Sequence, residues 1–196
     1  MIHPVLKFLA EQLNEYIEEV KKPDVLESPY VILQNISRLD EDLLKTTNKI
    51  LISLVNISEE TSMKNNPDYT SVKNNLVTYN NPPINLNLFI MITSFMTNYE
   101  NALIYLSYAI NFFQGKFSFT LKNSITEVES LPDDFHIILD LFNLGFEQLN
   151  YVWSTFGGKQ HPFVCYKVRL LKIERESTRE ISGVISEVLI DGRGKN

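Results

Sequence analysis

Cysteine is almost missing from these 196 residues: Cys165 stands alone, so no intramolecular disulfide can form, and a disulfide-stapled scaffold is excluded. A lone thiol fits folding in a reducing compartment, which points to synthesis in the cytoplasm. Histidine is equally sparse. His3, His136 and His161 are scattered, and neither a CxxC nor an HxxxH pair is present to seed tetrahedral zinc, so no metal site is expected. Long hydrophobic runs are also lacking. No stretch reaches the roughly 18 to 20 apolar residues of a membrane span, and Asn85, Asn87, Asn98, Glu100 and Asn101 divide the most apolar region, residues 84–113. The N-terminus shows no basic segment followed by an apolar run, which argues against a signal peptide. Positive charge is short as well: the net charge is −6, whereas a nucleic-acid grip needs clustered Lys and Arg. No internal repeat is visible.

What is present is the composition of a folding chain. Hydrophobic residues make up 44% and charged residues 21%, close to the globular average, and 22.7 kDa suits one domain, or one domain with an arm. Pro4 sits where a first helical turn tolerates it, and Ile2, Leu6, Leu9, Leu13, Ile17 and Val20 recur at spacings of three and four, which predicts an amphipathic helix ended by Pro23. Residues 30–36 fit a short strand. Residues 50–57 fit a better one, apolar on both faces and therefore central in a sheet. The polar segment 58–83 is too long for a structureless connection inside a compact domain, and the favoured reading hides a hairpin in it, around Val72 to Tyr79.

Ile84, Leu86, Leu88, Ile90 and Ile92 alternate with their neighbours as in a strand with one fully buried face. Thr97 and Glu100 match a capping box, followed by a helix with the stripe Ala102, Leu103, Leu106, Ile110 and Phe113, an aromatic flank of Tyr105, Tyr108 and Phe112, and a stop at Gly115. Residues 135–142 read as a strand. A helix then runs over about 144–156 with Phe146, Leu149, Val152, Trp153 and Phe156 on one face, ended by Gly157 and Gly158. Residues 163–173 form the last clear strand, with Val164, Tyr166, Val168 and Leu170 opposite Cys165, Lys167 and Arg169. Beyond it, Ile181, Val184, Ile185, Val188 and Leu189 have helical spacing that Gly183 and the β-branched residues weaken, and the segment reads as an arm shaped by a partner. The predicted class is α/β (α+β): a mixed sheet of about four main strands flanked by helices, with a hairpin or loop and a C-terminal arm.

Candidate chemistry is thin. His161 and Cys165 have the residue types of a base and a nucleophile. On a strand, however, they would lie roughly 13 Å apart, and a buried structural thiol is the stronger reading. Glu59 and Glu60 could imitate an acid/base pair, yet adjacent strand-end carboxylates point apart and into water, so strand termination or a salt bridge to another chain fits better. Gly157, Gly158 and Lys159 follow their helix, and a phosphate cradle needs glycines before one. Trp153 belongs to the apolar stripe, where core packing and an interface role are compatible. No catalytic residue and no cofactor site emerges.

Ordered segments carry a resemblance: LVNISEE at 54–60, PPINLNLFIM at 82–91, NYENALIYLSYAINFFQ at 98–114 and LNYVWSTFGGKQHPFVCYKVRLLKIE at 149–174. Together they resemble the cap, or tail-terminator, proteins of phage-tail-like contractile injection systems, from the first helix to about Glu174. Phe163 departs from the small polar residue that pattern usually has after the proline. The resemblance implies a structural part and not an enzyme: a homo-oligomeric ring, sixfold, that ends the inner tube and sheath and stops polymerisation, without nucleic acid or membrane insertion. It implies a terminator-like domain over 1–174 and an arm over 175–196. The loop 58–83 and the arm are then expected to meet tube, sheath or neighbouring copies, with Glu59, Glu60, Tyr69, Tyr79, Tyr105, Tyr108, Lys167, Arg169, Arg175 and Arg179 as candidate contact residues. The alternatives are a general protein-binding adaptor and a small cysteine hydrolase centred on His161 and Cys165.

Overall fold

The computed structural model describes residues 1–20, 28–38, 47–61, 70–73, 76–80, 84–124, 131–156, 158, 160–173 and 178–183, with backbone alone at 70–73, 76–80, 155, 170, 172 and 178–183. In chain order the elements are α1 (Ile2–Val20), β1 (Val31–Leu33), a 3-10 turn (Ile36–Arg38), β2 (Lys49–Glu59), β3 (Thr70–Lys73), β4 (Leu76–Asn80) and β5 (Ile84–Phe95). They continue with α2 (Tyr99–Gly115), β6 (Ser118–Thr120), a 3-10 turn (Leu121–Asn123), β7 (His136–Leu141), α3 (Phe146–Thr155), β8 (Phe163–Ile173) and β9 (Thr178–Gly183). The chain divides into two compact units, Met1–Glu59 with Leu86–Leu171 and Glu60–Asn85 with Lys172–Asn196.

The first unit is built on a six-stranded sheet of order β1-β2-β5-β8-β7-β6. β1 runs parallel to β2, while the β2–β5, β6–β7 and β7–β8 pairs are antiparallel, so the sheet is mixed, as expected. The long strands β2, β5 and β8, with β7, are the main strands; β1 and β6 are short additions at the two edges. Helices cover both faces. On one, Leu51, Met91 and Cys165 join Ile36 and Trp153 of α3 in a cluster. By strand alternation Ile50, Ile52, Ile90, Ile92 and Val168 point the other way, and all are buried. On that face Phe8 of α1 stands edge-on to Phe119 at 6.0 Å and Phe135 at 5.4 Å, while Phe113 of α2 meets Tyr166 at 5.1 Å. Two covered faces explain why β5 is buried on both sides, at Met91 and Thr93 as well as at Ile90 and Ile92, and not on the one face its alternation predicts.

Three further expectations shift. β2 is central only in its first half: β1 is in register with Ile50, Leu51 and Ile52 alone, and past Ser53 the strand exposes Leu54, Val55 and Ile57. The start of α2 is capped by Asn98, whose Oδ1 accepts from the N–H groups of Glu100 at 2.8 Å and Asn101 at 3.2 Å. Thr97 instead donates from N–H and hydroxyl to Asn48 Oδ1, at 3.0 and 2.7 Å, which ties the start of β2 to the start of α2. The buried stripe of α2 is Ala102, Tyr105, Ala109, Phe112 and Phe113, leaving Leu103 and Ile110 exposed. Both stripes satisfy the helical period, and the fold buries the one carrying larger aromatic area.

The second unit holds a three-stranded sheet of order β3-β4-β9. β3 and β4 form the expected hairpin, with Val72 opposite Val77 and Thr70 opposite Tyr79. β9 adds antiparallel to β4, pairing Leu76 with Gly183 and Thr78 with Ile181. The start of the C-terminal segment is thus a strand and not the helix its spacing allows. Val184, Ile185, Val188 and Leu189 lie outside the described residues, as does Pro23.

Candidate functional site

The structure gives the cysteine and the histidine packing surroundings. Cys165 lies in β8 at 8% exposure, and burial pushes its thiol up to about 11, so the neutral, unreactive form dominates at neutral pH. His161 lies before β8 begins and packs its ring edge-on against Phe95 at 4.9 Å and Trp153 at 6.4 Å. Tyr166 is likewise pushed up to about 12 by burial. Among the described residues no group of three or more His, Cys, Asp or Glu could hold a metal ion.

The end of α3 follows its sequence signal. Gly158 takes φ +77°, a region that favours glycine, and donates its N–H to Trp153 O at 2.8 Å. Gly157 and Lys159 lie outside the described residues. Trp153 is buried, with Phe163 at 5.1 Å and Phe156 at 6.2 Å. Phe146, expected on the same face, is 93% exposed. It does share the azimuth of Trp153, but seven residues place it about 10 Å along the axis, at the other end of α3.

The candidate contact residues separate in the structure. Glu59 is exposed at the end of β2, in register with Leu86, and Glu60 follows, donating its N–H to Asn85 O at 2.8 Å. Tyr105 is buried, its ring meeting that of half-buried Tyr108 at 5.9 Å. Lys167 and Arg169 lie on β8 beside β7. Lys167 stands opposite Asp140, and Arg169 Nε forms an ion pair with Asp140 Oδ2, so its charge is already matched within the chain. Tyr79 sits in β4 opposite Glu180, and Arg179 occupies the register shift of β9 between the partners of Tyr79 and Asn80. Tyr69 and Arg175 lie outside the described residues.

What sequence periodicity missed is an apolar surface. Ile110, Phe117 at 59% exposure and Leu141 at 54% surround a hollow of about 230 Å³, floored by Phe113, Leu139 and Tyr166. Leu103 and Ile104 continue the exposed apolar side of α2. A second hollow of about 200 Å³ lies between β2 and α3, lined by Val55, Asn56, Phe89, Ile90, Phe142, Leu144, Val152 and Cys165. The first hollow is also lined by the polar Gln114 and Asp140, and exposed apolar side chains grouped beside such polar residues are a common feature of surfaces that contact other macromolecules. Phe117 falls just before β6, where no alternation assigns a face, and Leu141 shares by alternation the face of buried Ile137 and Leu139 yet lies exposed at the last position of β7.

A mixed six-stranded sheet flanked by helices is a fold that this chain shares with solved terminators of contractile injection systems. The chain belongs to the Pvc16 N-terminal domain family, matched over residues 4–187. Among solved structures it is similar to the sheath/tube terminator of PVC, an extracellular contractile injection system, in the extended state, with a TM-score of 0.67 and 11% identity. That match covers 100% of this chain and 64% of the other. It is also similar to the tube-terminating cap of the anti-feeding prophage, with a TM-score of 0.59 and 11% identity over 92% of this chain and 59% of that one. The chain therefore spans less than two thirds of either structure. Comparison with curated proteins gives no match.

Proposed function

We propose that this chain is a structural terminator of a contractile injection particle, forming a ring of six copies that mates with the last layer of inner tube and sheath and halts polymerisation. The observation that carries this reading is the likeness to the sheath/tube terminator along the whole of this chain, joined to family membership over residues 4–187. The site chemistry agrees: the one thiol is buried and raised in pKa, while large apolar side chains lie exposed around Ile110, Phe117 and Leu141. Such a molecule acts by shape. In this reading the copy-to-copy contact uses that apolar surface, and Glu59, Glu60, Tyr69, Tyr79, Tyr108, Lys167, Arg175 and Arg179 are candidate contacts to tube, sheath or neighbouring copies. Residues 1–174 act as the docking domain and 175–196 as an arm. The protein is made in the cytoplasm and incorporated into the particle; no described helix is long and apolar enough to cross a membrane.

The test is particle assembly with and without the chain. Electron microscopy should show tubes of broad, uncontrolled length and open ends in its absence, and closed ends of regular length once purified chain is supplied. Particles of normal length and intact ends without it would remove the proposal.

A further inference from the structure

The main sheet ends on each side in a short strand, and at each end an asparagine carboxamide occupies backbone groups that a further strand would use. On β1, Ile50 donates its N–H to Tyr30 O at 2.8 Å and Gln34 donates to Ile52 O at 3.2 Å, so Tyr30 and Gln34 face β2. By alternation Val31 turns its own N–H and C=O outward. Both are taken by Asn14 of α1: Val31 N–H donates to Asn14 Oδ1 at 2.8 Å, and Asn14 Nδ2 donates to Val31 O at 2.9 Å.

The opposite edge repeats the chemistry with unrelated elements. Leu139 donates its N–H to Phe117 O at 2.8 Å, so Ser118 and Thr120 of β6 look away from β7. Thr120 N–H donates to Asn123 Oδ1 at 2.9 Å, and Asn123 Nδ2 donates to Ser118 O at 2.9 Å. Capping of the 3-10 turn explains the Thr120 bond. It does not explain the bond to Ser118, which lies in the strand before the turn. A carboxamide presents a donor and an acceptor side by side, as the peptide groups of a neighbouring strand would.

A third site lies where β2 outruns β1. Glu60 faces β5, so Ile57 faces away from it, and Ile57 N–H donates to Asn56 Oδ1 at 2.9 Å. The β6 guard is also tied down. Lys116 Nζ donates to Asn123 O at 2.6 Å and to the buried Gln12 Oε1 of α1 at 3.0 Å, so the helix that closes β1 also anchors the residue closing β6.

We propose that Asn14, Asn56 and Asn123 are edge guards, filling outward hydrogen-bonding positions at Val31, Ile57, Ser118 and Thr120 so that no extended segment of a second copy, a tube subunit or a sheath subunit adds a strand there. Unpaired strand edges are templates for such addition. The inference rests on the terminator reading for its purpose, because the end of a filament must refuse growth; its hydrogen-bond chemistry stands without that reading.

The test is residue-resolved amide hydrogen exchange and sheet-mediated association of the purified full chain, wild type beside Asn123→Ala and Asn123→Asp. In the wild type the outward amides of Val31, Ile57 and Thr120 should exchange more slowly than unbonded surface amides. Asn123→Ala should speed exchange at Thr120 roughly five- to tenfold, the worth of one hydrogen bond, and should raise binding of a β-sheet-specific dye and the sedimenting mass above wild type. Asn123→Asp loses the bond to Ser118 O but keeps the acceptor for Thr120 and places a charge on the edge, so exchange at Thr120 and association should stay at the wild-type level. Rapid wild-type exchange at Thr120, no gain in association for Asn123→Ala, or equal association of both variants would overturn the proposal. If Asn123→Ala does not fold, wild-type exchange at Val31, Ile57 and Thr120 decides. Failure of the terminator reading appears separately, in particle length.

Discussion

Replacing Asn14 by alanine should unfold the first unit at distinctly lower denaturant, although the change touches a half-buried helical position and introduces the better helix former. Asn14 Oδ1 and Nδ2 are the recorded side-chain partners of the Val31 N–H and C=O. Val31 is 2% exposed, so water has little access to either group once the carboxamide is gone. Two stranded buried groups cost about 1–3 kcal/mol each. Alanine returns about 0.6 kcal/mol in helix propensity, and local relaxation returns some more, which leaves a net loss of about 2–4 kcal/mol. At this chain length that lowers Tm by about 5–15 °C. Trp153 is the only tryptophan and lies buried in the first unit, so urea titration followed by its fluorescence reads that unit directly. Asn14→Asp refines the test. A carboxylate still accepts from Val31 N–H but repels Val31 O, so its folded pKa should rise above the unfolded value. Its stability should then be fullest below the ordinary carboxylate pKa and fall as pH rises through the raised one. A loss under about 0.5 kcal/mol for Asn14→Ala, within the scatter of surface substitutions, would refute the reasoning.

Other expectations can be checked on the same protein. Cys165 should resist thiol reagents until the first unit unfolds, so labelling should track the loss of buried Trp153 fluorescence; prompt stoichiometric labelling of folded chain would contradict its burial. Because the folded thiol is raised from 9.0 to about 11, its contribution to stability should be complete below about pH 9 and decline as pH rises through 11, a slope that Cys165→Ala removes. Deleting residues 174–196 should leave Trp153 fluorescence and first-unit unfolding unchanged while the β3–β4 hairpin loses its partner β9; a two-stranded hairpin alone is marginal, so its amides should exchange faster. Phe117→Ser with Leu141→Ser should change unfolding free energy by less than about 1 kcal/mol, since both are largely exposed, yet abolish ring formation in sedimentation; intact rings would clear that surface of the role given to it.

Local signals were legible wherever one periodicity had one solution. The stripe Leu6, Leu9, Leu13 and Ile17 was buried as spaced, β8 kept its bounds, the hairpin around Val72 to Tyr79 formed, and Gly158 ended α3. In α2 two stripes met the same period, and sequence spacing had no means to choose between Leu103 with Ile110 and Tyr105 with Phe112. Phe146 repeats the azimuth of Trp153 yet lies exposed while Trp153 is buried, a difference that spacing does not encode. The same holds for Leu54 and Ile57, apolar residues that lie exposed past the point where β1 stops pairing with β2.

By itself the sequence determined what is local: the main helices and strands α1, β2, β5, α2, β7, α3 and β8, that the thiol sits in an apolar run, and the ordered motifs that mark the family. Tertiary structure alone decided what depends on residues far apart in the chain. The pairing of β9 with β4, the order β1-β2-β5-β8-β7-β6, the apolar surface around Phe117 and Leu141, and the reach of Asn14 to Val31 across 17 positions belong to that set. Periodicity records the face a side chain presents, whereas a hydrogen bond or a hollow also requires that a second element be brought opposite it, and only the folded chain supplies that second element.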